Sequence, residues 1–324
     1  MKQWVQKYSG ILRNLRPTYW LYNLANLKQL KKNKALYKTF GVEKPVWQSI
    51  AHADIKKTSN DIPWMDDPNI TEEQIKAHPN FNKFDAVTQQ QLLLWPKQGY
   101  LIIPRLFAHK VDAINTEIDR LKTDKTIDFN FTGKKIMDAW QYSATLNEVF
   151  HEQKILNILA FIFQKQPIPF QTINFMYGSE QKPHSDFIHM STEPMGYLSA
   201  QWIALEDIQE NSGELVYYPG SHKLNYVFSE DYATGNNALL IGEHNYDRYE
   251  EKIESIIQQH NLQPHYFHAK KGDVLIWHAN LLHGGSPINN PLLTRKSMVA
   301  HYYAKDVLCY HEISQRPAVI KTVE

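Results

Sequence analysis

The sequence predicts a mainly β protein with helical additions (α+β): a double-stranded β-helix, or cupin-like jelly roll, preceded by N-terminal helices. Three observations predict it. From Gln171 to Tyr303, short runs rich in β-branched and aromatic residues recur between clusters of turn formers, as in a Greek-key barrel. The segment before Val42 instead spaces its apolar residues as helices do. The chain has 324 residues, 43% of them hydrophobic, which suffices for one large domain with a helical extension. It contains no repeat that would signal a solenoid.

From Met1 to Val42 there are nine Lys or Arg and no Asp or Glu, interleaved with Trp4, Tyr8, Tyr19, Trp20 and Tyr22. Leu24, Leu27 and Leu30, then Leu36 and Phe40, are spaced for helices that pack on the main domain with lysines in solvent. The same basic, aromatic composition suits contact between residues 1–42 and an anionic membrane surface, which is the competing expectation. After the proline-containing acidic stretch 62–68, Thr71 with Gln74 three positions on predicts a capped helix start. Residues 99–104 read as a strand, followed by a helix over 110–121.

Further strands are predicted over 171–177, 198–205, 215–218, 274–277 and 298–303. Pro219-Gly220-Ser221-His222 reads as a tight turn, with His222 stabilising it rather than binding metal. An insertion at about 223–270, with a helix over 246–259, is placed to act as a lid or substrate wall. The expected organisation is therefore a mostly helical, basic and aromatic extension over 1–95 and a double-stranded β-helix domain over 96–324.

Composition bounds the partners. With 35 basic and 34 acidic residues the formal net charge is +1, which gives the whole molecule no electrostatic reason to bind nucleic acid. Cys309 is the only cysteine, so no internal disulfide can form, and a reducing cytoplasm with an inert packed thiol is expected. The N-terminus does not read as a secretion signal, and no apolar run approaches the roughly 20 residues needed to span a bilayer. A soluble, cytoplasmic protein is expected.

Two segments carry the chemistry: His184-Ser185-Asp186, and the stretch from Trp277 through His278 to His283-Gly284-Gly285, with Arg295 twelve positions after His283. On an extended strand His184 and Asp186 point to one face and can close on one ion. The run Val274-Leu275-Ile276-Trp277 opens after Gly272-Asp273 as a buried strand and delivers His278 and His283 near its far end. Either histidine can supply the third ligand. Two histidines and a carboxylate hold iron(II) on one triangular face and leave three adjacent positions open, two for a chelating 2-oxo acid and one for dioxygen. A bare carboxylate deep in a barrel is costly unless a bidentate guanidinium meets it, and Arg295 is placed to do so.

At this point the chain resembles the phytanoyl-CoA dioxygenase family of iron(II)- and 2-oxoglutarate-dependent oxygenases. The resemblance covers 170–303 and rests on Pro183-His184-Ser185-Asp186, Trp202-Ile203-Ala204-Leu205-Glu206-Asp207, Asn211-Ser212-Gly213 and Pro219-Gly220-Ser221-His222. It continues in Lys271-Gly272-Asp273, His283-Gly284-Gly285 and Arg295-Lys296-Ser297. It implies iron(II) bound by His184, Asp186 and His283, with 2-oxoglutarate anchored by Arg295 and dioxygen as the oxidant. It favours His283 over His278, because members follow the distal histidine with glycine. Lys135, Gln171, Trp202 and, more weakly, Asn174 stand where members approach the cosubstrate. Gly285 stands where many members carry a serine to the cosubstrate's far carboxylate, and the loop 286–294 is about one residue longer than usual, which leaves Lys296 as the alternative to Arg295.

The reaction implied is hydroxylation of an unactivated C–H bond in a small-molecule or acyl substrate, with release of succinate and CO2. Related halogenases carry a small residue where Asp186 stands, so hydroxylation is the expected outcome. Three alternatives compete: a catalytically silent jelly-roll binding or sensor protein, a cupin-like metal enzyme that is no oxygenase, and a membrane-docked interaction protein driven by the basic N-terminus. Intact His184, Asp186, His283 and Arg295 oppose the first, and Arg295 would have no cosubstrate to hold in the second.

Overall fold

The computed structural model describes residues 15–130, 132–233, 239–242 and 244–320. Its strands are β1 (Tyr100–Ile103), β2 (Lys135–Met137), β3 (Pro167–Phe175), β4 (Ser191–Glu193), β5 (Leu198–Ala204) and β6 (Leu215–Tyr217). They continue as β7 (His265–Phe267), β8 (Val274–His278), β9 (His283–Gly285), β10 (Ser297–Ala304), β11 (Leu308–His311) and β12 (Arg316–Pro317). Six of them form one sheet in the order β1-β8-β5-β10-β3-β2, and every neighbouring pair is antiparallel. A smaller sheet, β7-β6-β9, and a third, β12-β11-β4, complete a jelly roll.

Strand alternation sends each side chain of the large sheet to one of two cores. Leu101, Ile203, Ile276, Met298 and Ala300 join the core shared with the helices. Their neighbours Tyr100, Trp202, Leu275, Trp277 and Val299 join the core between the two sheets, against Leu215 and Phe267. The second face is the one that carries the site.

The helices are α1 (Arg16–Ala25), α2 (Leu27–Leu30), α3 (Lys34–Thr39), α4 (Glu72–Ala77), α5 (Ala86–Gln98), α6 (Val111–Thr123), α7 (Ala144–Phe150), α8 (Gln153–Phe163) and α9 (Asn245–Gln259). Ile155, Ile158, Leu159 and Ile162 lie on one face of α8 at helical spacing and are wholly buried in the sheet–helix core. Each such side chain contributes about 1.5–3 kcal/mol by burial. The start of α4 is as expected: Gln74 N–H donates to Thr71 Oγ1 at 3.3 Å, while Thr71 N–H donates to Gln74 Oε1 at 2.8 Å.

The basic N-terminal segment is helical from Arg16 and packs on the C-terminal strand: Leu27, Leu30, Leu36 and Phe40 meet Leu308 and Tyr310. Leu24 departs from the expectation. It lies on the outer side of α1, 45% exposed, because Asn23 takes the inward position and donates to the Trp47 carbonyl at 2.9 Å. The part of the membrane-contact expectation that falls on residues 1–14 lies outside the described residues. Among the described residues no helix is long and apolar enough to cross a membrane. Cys309 is buried, and burial pushes its thiol pKa far up.

Candidate metal centre and its cavity

His283 lies on β9, which β6 holds in register through Tyr217, and it forms an antiparallel bridge with His184. Each of the two histidines donates its backbone N–H to the other's carbonyl at 2.9 Å. In such a directly opposed pair both side chains leave on the same side, and the two rings lie 4.5 Å apart. Gly284 permits the pairing, since a Cβ there would come within 2.6 Å of the Gln181 carbonyl oxygen.

Asp186 reaches the same point by a route the sequence reading did not foresee. The segment is no regular strand: Ser185 is extended, but Asp186 opens a 3-10 turn, Asp186–Ile188. Phe187 N–H donates to the Ala279 carbonyl at 3.1 Å and fixes that turn against the end of β8. One ligand atom each from His184, Asp186 and His283 can be chosen so that all lie within 4.8 Å of one another, and all three residues are buried.

The surroundings prepare these atoms for a cation. His184 Nδ1 is 2.9 Å from the Lys182 carbonyl and His283 Nδ1 is 2.9 Å from the Leu281 carbonyl, which assigns the proton to Nδ1 and the lone pair to Nε2; that of His184 accepts from Gln181 Nε2 at 3.2 Å. Trp277 Nε1 donates to Asp186 Oδ2 at 2.7 Å, and His301 Nε2 lies 3.5 Å from the same oxygen. Burial pushes the Asp186 carboxyl up, but His283, His301 and His184 together outweigh it and hold the group well below the usual carboxylate range. Burial, reinforced by His283 and His189, holds His184 neutral.

A cavity of about 1150 Å³ opens from this cluster. Arg295 lines it, 3% exposed, with its guanidinium 5.3 Å from the Phe175 ring and 5.7 Å from the Trp202 ring. Its Nη1 donates to Ser297 Oγ at 2.9 Å, its Nε is buried without a partner, and no carboxylate among the described residues pairs with it. Burial lowers its pKa to about 10 against the pull of Glu206 and Glu214, so it remains a cation at neutral pH. Such a group is a built receptor for an anion.

The remaining predicted residues divide. Lys135, Gln171 and Trp202 line the cavity with Arg295. Burial draws the Lys135 ammonium below its ordinary range, and its Nζ donates to Gln181 Oε1 at 3.2 Å. Asn174 does not join them: β3 places Gln171, Ile173 and Phe175 toward the cavity, and Asn174, opposite Met298, on the buried helix-facing side. Gly285 is also absent from the lining. Its neighbour Gly284 lines the cavity instead, and the space a Cβ at 285 would take is occupied by Ser179 Oγ, 2.5 Å away. Lys296 leaves its backbone N–H to Glu206 at 2.6 Å and does not line the cavity. His278 is turned away, its Nε2 2.9 Å from Asp66 Oδ2, which makes it a structural histidine.

Sequence reasoning missed His301, Gln181, Tyr246 and Tyr249. His301 was within reach, since Ser297, Val299 and His301 share one face of β10 and follow Arg295 at the same parity. The two tyrosines had no such signal. They project from α9 in the insertion: Gln181 Nε2 donates to Tyr246 Oη at 3.0 Å, and Ser185 N–H donates to Tyr249 Oη at 2.9 Å.

A family model described as phytanoyl-CoA dioxygenase (PhyH) matches residues 95–297. Phytanoyl-CoA dioxygenase domain-containing protein 1 of Danio rerio is 32% identical over 85 residues, 25% of this chain and 29% of the relative. The peroxisomal phytanoyl-CoA dioxygenase of Mus musculus is 28% identical over 129 residues, 39% of this chain and 34% of the relative. The chain thus spans only about a third of the length of these curated relatives. Among solved structures, the non-heme alpha ketoglutarate dependent carbocyclase SnoK from nogalamycin biosynthesis superposes with a TM-score of 0.56 at 15% identity, covering 75% of this chain and 96% of that one. EctD from S. alaskensis, solved with 2-oxoglutarate and 5-hydroxyectoine, superposes with a TM-score of 0.53 at 16% identity, covering 82% of this chain and 86% of that one. At such identity the likeness is one of fold.

Proposed function

Because the chain belongs to the phytanoyl-CoA dioxygenase family, we propose that it is an iron(II)- and 2-oxoglutarate-dependent dioxygenase. It hydroxylates an unactivated C–H bond of a small-molecule or acyl substrate and releases succinate and CO2. One observation carries the reading: a buried arginine without a carboxylate partner lines the same cavity as a buried His-Asp-His cluster. A zinc or manganese hydrolase would have no use for that arginine.

In this reading His184 and His283 bind iron through Nε2, and Asp186 binds through its carboxylate. When bound, iron(II) couples decarboxylation of 2-oxoglutarate to activation of dioxygen. Trp277 orients the carboxylate by its 2.7 Å hydrogen bond. Arg295 takes the far carboxylate of 2-oxoglutarate, with the Phe175 and Trp202 rings keeping water from the guanidinium. Lys135 and Gln171 complete the polar wall on the strands beside it. An aspartate at 186 keeps the third protein ligand that halogenation would require to be absent.

We assign the catalytic unit to 96–324, with 1–95 as an extension packed on it and the insertion at about 223–270 as a substrate wall. The start of β1 at Tyr100 and the cavity-lining Asn245 and Tyr246 support that division. The test is anaerobic loading with iron(II) followed by 2-oxoglutarate and air, reading bound metal by mass spectrometry and succinate by chromatography. One equivalent of iron and succinate formation that depends on it are expected. Absence of both, or tight zinc uptake with no 2-oxoglutarate binding, would overturn the assignment.

A further inference from the structure

We infer that the substrate carries a carboxylate, and that Arg316 in the cavity wall binds it; the inference rests on the cavity's being the oxygenase active site proposed above. Arg316 lies on β12 directly across from His311, and both line the cavity. Its guanidinium is 5.6 Å from the Tyr19 ring and 5.8 Å from the Tyr22 ring, so two aromatic faces of α1 hold it in place. Nε donates to Ser314 Oγ at 3.2 Å, and the two terminal nitrogens make no hydrogen bond to any described residue. A planar fork held at its base with its tips open is the arrangement that takes a carboxylate through two parallel hydrogen bonds.

Charge along the cavity agrees. The basic lining residues are Lys134, Lys135, Arg295 and Arg316, and the acidic ones are Asp186 and Asp247. Lys134 is paired with Glu180 at 3.0 Å, and Asp247 lies 2.9 Å from His244. Iron(II) and the dianion of 2-oxoglutarate cancel, and Asp186 and Asp247 offset two of the three remaining cations. The loaded cavity keeps an excess of one positive charge, and Arg316 lies on a different sheet from the Arg295 pocket. Positive charge in the cavity wall favours an anionic guest over a neutral one of the same shape.

The experiment uses the full chain loaded with nickel(II), an oxygen-inert stand-in for iron, and saturating 2-oxoglutarate. Calorimetry then compares hexanoate, 3-phenylpropionate and N-acetylleucine with their primary amides, and with hexyl phosphate. At least one carboxylate is expected to bind about tenfold or more tightly than its amide, the range of one charge-assisted hydrogen-bonded contact. Arg316→Gln should abolish that discrimination, while Arg316→Lys should restore part of it. Equal affinity for carboxylates and amides, discrimination that survives Arg316→Gln, preference for the phosphate, or no binding by any probe would each overturn the inference. The 2-oxoglutarate isotherm, recorded first, separates the two proposals. Failure there removes the oxygenase reading, whereas a loaded protein that does not discriminate removes only the role of Arg316.

Discussion

His184 and His283, ninety-nine positions apart, exchange both backbone hydrogen bonds at 2.9 Å, so two metal-ligand candidates form one rung of a ladder. The rung is made by main chain and does not need the imidazoles. His184→Ala and His283→Ala should therefore leave the fold intact, with unfolding midpoints close to that of the metal-free parent, while bound iron and succinate formation fall to background. A variant that keeps a full equivalent of iron would remove that residue from the ligand set.

Trp277→Phe keeps an aromatic ring against His283 but deletes the 2.7 Å hydrogen bond to Asp186. Loss of such a supporting partner typically lowers metal affinity about 10–100-fold. Competition with a fluorescent chelator measures it, and an unchanged affinity would show that Trp277 only packs.

Arg295→Gln should raise the 2-oxoglutarate KM by about 10–100-fold, corresponding to loss of a charge-assisted contact, with a smaller change in kcat. Arg295→Lys should recover only part of the affinity, because the ammonium keeps the charge and loses the fork. Equal KM values in parent and glutamine variant would place the cosubstrate's carboxylate elsewhere.

Tyr249→Phe removes the acceptor for the Ser185 backbone N–H, which is buried between two ligand candidates. Leaving that donor without a partner costs about 1–3 kcal/mol. The expected result is a lower unfolding free energy together with faster loss of iron to a chelator. Loss of stability alone would mean that the tyrosine does not position the ligands.

His222 gives a pH dependence. Burial first, then the neighbouring His278 and Lys223, pull its pKa down to about 3, so it is neutral in the folded protein while an unfolded histidine titrates near 6.5. Below that value the unfolded chain binds a proton the folded one refuses. Stability should thus fall as pH drops from about 6.5 toward 3, by up to about 1.4 kcal/mol per unit. Urea unfolding of the parent and of His222→Gln across this range measures the contribution, and parallel slopes would refute it.

The clustering of the candidate ligands, the buried strand before His283 and the placing of Arg295 in the cavity were legible because each rests on local pattern: a two-residue spacing, an apolar run after a turn, a charge at a strand's head. Strands β5, β8 and β10 of the large sheet lie within a residue of their expected limits for the same reason, whereas β3 begins four residues earlier than expected. The unforeseen strands β2, β4, β7, β9, β11 and β12 have two to four residues, too few to show a period, and exist because a neighbour pairs with them. Asn174 went astray by one position of strand parity, which sends it to the opposite face. Arg316 and the tyrosines of α9 reach the cavity by tertiary packing alone.

The phenols of Tyr246 and Tyr249 tie the insertion to the segment 181–186. A region that would be free to diversify as substrates change is thereby yoked to the segment that carries two of the candidate metal ligands. Grafting the corresponding insertion from a relative should succeed only if the donor segment brings hydroxyls to those two places. The latitude of this cavity for change is accordingly greatest on the walls that do not touch the candidate ligands, where Tyr19 and Arg316 line it.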